Sequence, residues 1–349
     1  MGGYKMKIAI HHNSGTFSER WIEYCKKKNI PYKIVNAYDN DIVQQVADCD
    51  IFMWHHHHGN YKDVLFAKQL LYSLEIAGKK VFPDFHTGWF FDDKVGQKYL
   101  LESIGAPLVP SYVFYTKKEA LKWINTTSFP KVFKLRGGAG AANVRLVNSR
   151  QAAIGLVRRA FGSGFPQFNR WGYLKEQYRK WRHGKASLLD VCKGIIRLFI
   201  STEFAKMHAP EKGYVYFQDF IPMNEYDIRV IVIGGNKAFA VKRICRPNDF
   251  RASGSGNMHY DKKEIDVCCV EQSFKLADKL NCACIGFDWI FNSEHTPLIV
   301  EIGYGFAVHP YDACPGYWTS DMKWHEECFI PQEWMIEHLL KERSVKNEG

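Results

Sequence analysis

Two apolar strands late in the chain, "CIGFDWIF" (284–291) and "PLIVEI" (297–302), each carry one carboxylate, Asp288 and Glu301. An ionised carboxylate is costly inside an apolar sheet unless it is paired or metal-bound. The strands must therefore belong to a sheet with one face in a core and the other on a polar cleft. Strict alternation puts Asp288 on the face of Ile290, and Glu301 on the face of Ile299 and Gly303. Antiparallel pairing would set the two acids opposite each other. Two arrangements satisfy them: magnesium, which takes oxygen ligands and retains water, or a buried ion pair with an arginine.

The rest of the chain supplies a frame for that sheet. Residues 7 to 82 alternate short apolar runs ("KIAIHH", "YKIVNA", "DIFMWHH", "KKVFPD") with amphipathic stretches at Phe17–Lys28 and Tyr61–Ala77. This βαβα rhythm predicts a small parallel sheet, and no glycine fingerprint for a dinucleotide follows its first strand. After "FPDFHTG" come a helix in "DDKVGQKYLLESIG", a strand "SYVFY", a helix from Lys117 to Ile124, and a strand "PKVFKL" leading into "RGGAGAANV". From Tyr214 the pattern turns to sheet: "YVYFQDFI", "DIRVIVIGG" and "KAFAVKRI", with "IGGNK" as a hairpin turn. A helix from Val267 to Leu280 precedes the carboxylate strands.

The formal net charge of +10 points to an anionic partner, and its location is uneven. Residues 155–213 hold twelve Lys and Arg against four acids, an excess of +8, interleaved with aromatics in "FPQFNRWGYLKEQYRKW". The ten cysteines lack zinc or disulfide spacing, and His309, Cys314, His325 and Cys328 are no exception, so reduced thiols in the cytoplasm are expected. No apolar run is long enough to cross a bilayer. The opening "MGGYKMKIAIHH" has neither the apolar core of a secretory signal nor the myristoylation pattern, because position 6 is Met. In "WHHHHGN", residues 54–60, four successive histidines cannot converge on one ion from an extended chain. As a loop after an apolar strand, His55–His58 read either as a substrate loop or as a solvated one.

Several stretches suit phosphate chemistry. Lys134 ends an apolar strand beside a loop with Gly137, Gly138 and Gly140, whose backbone N–H groups can approach phosphate oxygens, although a plain glycine-rich hairpin fits equally well. Lys94 opens a helix, where a cation gains from a nearby anion, although a solvated surface lysine fits this stretch better when taken alone. Asp227 and Arg229 share a strand face and either border a site or form a surface pair.

The order of these parts resembles the ATP-grasp superfamily, and its RimK-like carboxylate–amine ligases in particular, over roughly residues 80 to 305. The features carrying the resemblance are "DK" before a helix, a strand lysine with a glycine-rich loop, "QDFI", "DIRVIVIGG", "DFR", and Asp and Glu on a terminal hairpin. The fold class implied is α/β (α+β): an N-terminal βαβ lobe (1–88) and two α+β lobes enclosing ATP. These are a first ATP-grasp lobe (89–154), a basic helical insertion (155–213), a second lobe with adenine hinge and metal hairpin (214–330), and a C-terminal helix and tail (331–349).

Carried over by position, the resemblance implies that Lys94 and Lys134 bind phosphates and that Gly137, Gly138 and Gly140 close over them. Gln218, Asp219, Phe220 and Ile221 would read adenine, with Asp227 nearby. Asp288 and Glu301 would hold Mg2+. Arg243 and Arg251, with Lys134, would serve the transferred phosphoryl group or the acceptor carboxylate. Gly303 stands where the family usually has Asn, which leaves one or two magnesium ions open. The expected reaction joins a carboxylate to an amine through an acylphosphate. The tail "GFAVHPYDACPGYWTSDMKWHEECFIP" is similar to ATP-grasp proteins of surface-polysaccharide clusters, so an acidic or lipid-linked glycan is an expected partner. The basic segment would then bind glycan through residues such as Arg179, Lys180 and Arg182, touch the inner membrane face, or serve as a solvated cover. No specific nucleic acid is expected. A kinase acting on a hydroxyl, and a non-catalytic polyanion binder with a relic ATP site, are the alternatives.

Overall fold

The computed structural model describes residues 5–137, 143–166, 187–199, 209–247 and 249–341, with 174, 177, 178, 181, 182 and 207 between them. Gly138, Gly140, Arg179, Lys180 and part of the rest of the basic segment therefore lie outside the described residues.

The N-terminal lobe is the expected parallel sheet, in the order β2 (Tyr32–Val35), β1 (Ile8–His11), β3 (Ile51–Met53) and β4 (Lys80–Phe82). Its crossover helices are α1 (Phe17–Lys28), the short α2 (Ile42–Gln45) and α3 (Tyr61–Ile76), followed by α4 (Phe85–Gly88). Thr16 caps α1 by accepting from the Ser18 N–H, and Asn29 ends it in the left-handed region, which Asn tolerates better than most residues. Trp21, Phe17 and Ile22 on one face of α1 pack with Ile8, Ile10 and Met53 into a core shared with the C-terminal helix.

α5 (Lys94–Ser103) begins at Asp93, whose carboxylate accepts from the N–H groups of Val95 and Gly96. Beyond it lies an antiparallel sheet in the order β5 (Ser111–Phe114), β8 (Val215–Asp219), β6 (Lys131–Lys134) and β7 (Val144–Val147), backed by α6 (Lys117–Thr126) and α7 (Arg150–Ala160). Two sequence expectations change here. Val215–Asp219 sits between β5 and β6, so this strand belongs to the sheet of the first lobe instead of opening the second. Residues 155–160, counted with the insertion, finish α7, and Val157 and Ala160 are buried under that sheet. The described part of the insertion includes α8 (Leu188–Phe199).

The large sheet follows the order β13 (Pro297–Gly303), β12 (Cys284–Phe291), β9 (Tyr226–Ile233), β10 (Lys237–Ile244), β14 (Tyr317–Thr319) and β15 (Trp324–His325), with β11 (Met258–His259) on β10. The turn Gly234–Asn236 joins β9 to β10, and both glycines have positive φ, 59° and 68°. α9 (Val267–Leu280) covers one face, where Phe274, Trp289, Ile299 and Phe287 form a second core. α10 (Pro331–Lys341) and the N-terminal lobe cover the outer part of the other. The inner part of that second face is left to the cavity. No helix among the described residues is long and apolar enough to cross a membrane.

Candidate active site

A cavity of about 610 Å³ lies between the two antiparallel sheets and is closed by loops of the N-terminal lobe. Val132, Lys134, Val144 and Gln218 line it from the first sheet, and Asp227, Arg229, Asp288 and Glu301 from the second.

The carboxylate hairpin reaches this cavity by an irregularity. Asp288 pairs with Glu301, yet the next residue, Trp289, pairs with Ile299, so Val300 is an extra residue on β13. This β-bulge reverses the alternation. Ile299 is fully buried in the α9 core, while Glu301 turns to the cavity. The common face expected for Ile299 and Glu301 is thus corrected by one inserted residue. The bulge also presents the Val300 carbonyl, which accepts from Lys134 Nζ at 3.5 Å.

Both lysines are buried beside this acid. Lys94 Nζ lies 3.1 Å from Glu301 Oε1, with its side chain 5% exposed and that of Glu301 35% exposed. Burial lowers the affinity of Lys94 for its proton, but Glu301 and Asp92 outweigh it and raise its pKa. For Lys134 burial prevails over the attraction of Glu301, and with Lys94 also opposing charge its pKa falls to about 8.

Deeper in the cavity is an ionic quartet. Arg229 grips Asp288 through Nε at 2.6 Å and a terminal nitrogen at 2.7 Å; Arg243 reaches Asp288 at 2.9 Å and holds Asp227 with two bonds of 2.7 and 2.6 Å. Burial raises the Asp288 pKa, but the two guanidiniums more than offset it and hold this carboxyl well below the usual carboxylate range. Of the two arrangements open for Asp288, the structure displays the buried ion pair. Arg243 sits behind Asp227 and Asp288 and does not line the cavity, whereas Arg251 does, paired with Asp249 at 2.8 and 2.7 Å.

At the other end, Gln218, Asp219, Phe220 and Ile221 all line the cavity. Gln218 donates to Ser111 Oγ at 3.1 Å, and Asp219 pairs with Lys131 at 2.5 Å. Gly137 stands where a Cβ would come within 3.2 Å of Asp92 Oδ2, so the loop approaches that carboxylate as only glycine can without a shift.

Several lining or supporting groups were not singled out from sequence. Phe91 and Gln97 line the cavity, Gln97 Oε1 accepting the Ile302 N–H at 3.4 Å. Glu211 accepts from the N–H groups of Arg136 and Gly137 at the foot of the glycine loop. The neighbouring "DDK" motif could have pointed to Phe91; nothing local marks Glu211. His55, His57 and His58 line the end nearest the N-terminal lobe, while His56 is buried against Tyr304.

Residues 202–308 match the RimK-like ATP-grasp domain. No curated protein matches the chain by sequence. Among solved structures, the ATP-grasp ligase PsnB, complexed with a minimal precursor, aligns with a TM-score of 0.56 and 13% identity over 97% of this chain and 99% of its own. N5-carboxyaminoimidazole ribonucleotide synthetase from Thermotoga maritima gives 0.55 and 13% over 96% and 75%. A RimK domain protein from Sphaerobacter thermophilus gives 0.50 and 13% over 85% and 90%.

Proposed function

We infer, from an ATP-grasp fold with a RimK-like domain across residues 202–308, that this protein is an ADP-forming ligase that joins a carboxylate to an amine. The observation that carries the reading is the pair of buried lysines flanking Glu301 in a cavity that Gln218–Ile221, Arg229 and Arg251 also line. Adenine lies along 218–221, the phosphates between Lys94 and Lys134, and the acid substrate toward Arg251.

The donor set admits magnesium at Glu301. Its carboxylate meets Lys94 through Oε1 and is 35% exposed, Gly303 offers no side chain, both Asp288 oxygens are engaged by guanidiniums, and no group of three candidate ligands exists among the described residues. Glu301 would hold the ion with phosphate and water oxygens completing its shell. When bound, Mg2+ neutralises phosphate charge.

The acid's carboxylate oxygen attacks the γ-phosphorus, the bond to the β-phosphate oxygen breaks, and ADP leaves an acylphosphate. The amine nitrogen then attacks the acyl carbon, phosphate departs, and the amine loses a proton. Lys94 and Lys134 hold negative charge as it shifts toward ADP, which is positioning and electrostatic catalysis without a covalent nucleophile. The acid we propose belongs to a uronic acid or acidic glycan; the +8 excess of residues 155–213 supports an anionic acceptor. The test is ADP release from ATP with acid and amine added singly and together. Dependence on both supports the ligase, whereas release with a polyol alone identifies a kinase.

A second reading concerns location. Leu188, Leu189, Ile195 and Ile196 are exposed along α8 beside Lys193, a pattern suited to a membrane interface. Sedimentation with anionic but not neutral vesicles supports it; no sedimentation with either removes it.

A further inference from the structure

The end of the cavity opposite the hinge holds side chains that phosphate transfer does not use. His55 and His57 follow β3 in the loop at the carboxyl end of a parallel strand, the side on which open parallel sheets bind ligands. His55 is less than a tenth exposed; its ring stacks on Phe17 at 3.6 Å and its Nδ1 accepts the Phe17 N–H at 3.2 Å. His57 Nδ1 accepts the Gly59 N–H at 3.0 Å, and its own backbone N–H is tied to Asp63 at 2.7 Å. A neutral imidazole whose Nδ1 accepts carries its proton on Nε2. Burial lowers the pKa of His55 to about 3 and that of His57 in the same direction, so both rings are neutral at physiological pH. Neither Nε2 has a hydrogen-bond partner among the described residues, and both rings line the cavity.

The wall beside them is flat and aromatic. Phe91 lies against Gly305, where a Cβ would stand 3.1 Å from the ring and 3.8 Å from His55 Nε2, and against Gly303 at 3.7 Å. Arg229 lines the same cavity and feels Tyr311, which packs on Phe306 and through it on Phe17 beneath His55; this guanidinium already faces Asp288. The cavity here therefore offers the Arg229 guanidinium to one anionic group, two neutral N–H donors to uncharged oxygens, and a ring face to a flat body. An aliphatic acid would leave the buried His55 donor without an acceptor, and an ammonium group would meet two donors.

We propose that His55 and His57, through their Nε2–H groups, bind the hydroxyl oxygens of a ring-shaped hydroxy acid laid against Phe91, which makes a sugar acid the substrate class. This rests on the ligase reading above. The amine being unknown, hydroxylamine serves as nucleophile: its nitrogen displaces phosphate from the acylphosphate and leaves a hydroxamate that is read by iron colour. The acids are D-glucuronate, D-galacturonate and the unhydroxylated cyclohexanecarboxylate, with the full chain, Mg2+ and ATP.

The expected result is hydroxamate from a sugar acid and at least about 10-fold less kcat/KM with cyclohexanecarboxylate, the factor one lost hydrogen bond gives. His55→Ala and His57→Ala raise the KM for the acid about 10-fold and leave the KM for ATP unchanged, and His55→Gln, which keeps a side-chain N–H, recovers most of the loss. His57 is exposed, so its variant gives an answer even if His55→Ala does not fold. Equal use of cyclohexanecarboxylate, or a change in the KM for ATP instead of that for the acid, overturns the inference and leaves the ligase standing. Hydroxamate from none of the three, but from an amino acid or an aliphatic acid, does the same; hydroxamate from no acid at all sinks both.

Discussion

Lys134 gives the site a pH signature that can be worked out in advance. Its ammonium is buried, helped by Glu301 and opposed by Lys94, with a pKa of about 8. Phosphate binding favours the charged form, so nucleotide must raise this pKa, and affinity must fall as pH passes above the value in the free protein. With a pKa of about 8, the factor by which deprotonation weakens binding is about 1.1 at pH 7 and about 11 at pH 9, a loss of ~1.4 kcal/mol. Lys94 does not confuse the measurement, because its pKa is raised and it stays charged throughout. Calorimetry with Mg2+ and a non-hydrolysable ATP analogue, from pH 7 to 9.5, gives the dissociation constants. Repeating it at pH 8.5 in buffers of different ionisation enthalpy should show net proton uptake on binding. Lys134→Arg keeps its charge at every pH tested and should bind with a flat profile. A flat profile in the parent protein, the same slope in Lys134→Arg, or proton release would refute the reasoning.

Four further variants separate stability from function. Asp288→Ala removes the shared partner of two buried guanidiniums and should cost about 3–5 kcal/mol in chemical denaturation, far more than an exposed pair would; a loss under 1 kcal/mol contradicts the quartet. Glu301→Ala and Lys134→Ala should each reduce ATP turnover at least about 100-fold while the melting curve stays cooperative, since each removes charge that stabilises phosphoryl transfer. Gly316→Ala would place a Cβ 2.1 Å from the His325 carbonyl and 2.6 Å from the Trp324 ring, so it should lose about 1–3 kcal/mol of stability with unchanged nucleotide affinity.

The parts that were legible in the sequence have local causes. Apolar periodicity located α1, α3, α5 and α9 to within a residue or two of their ends, because caps such as Thr16, Asp93 and Asp266 stop or start them chemically. Opposing carboxylates on β12 and β13 followed from alternation and hairpin pairing. What escaped is not local. Nothing in Val215–Asp219 says that its neighbours are β5 and β6, since a strand's composition records burial and leaves its partners unspecified. The bulge at Val300 depends on a register that no side chain in "PLIVEI" announces, and period-two reading failed there by one position. Arg243 was distinguishable from Arg251 only once Asp227 and Asp288 were seen to enclose it.

The basic segment begins and ends at one place. Phe165 and Glu211 bridge each other through paired backbone hydrogen bonds of 2.9 and 2.8 Å, so the two ends of the stretch between them are fastened together. Its length is thereby freed from the geometry of the cleft: doubling the loop would add only about 0.6 kcal/mol of closure entropy. Selection can lengthen, shorten or rewrite those residues at little thermodynamic cost, provided Glu211 remains to hold Arg136 and Gly137 at the foot of the glycine loop.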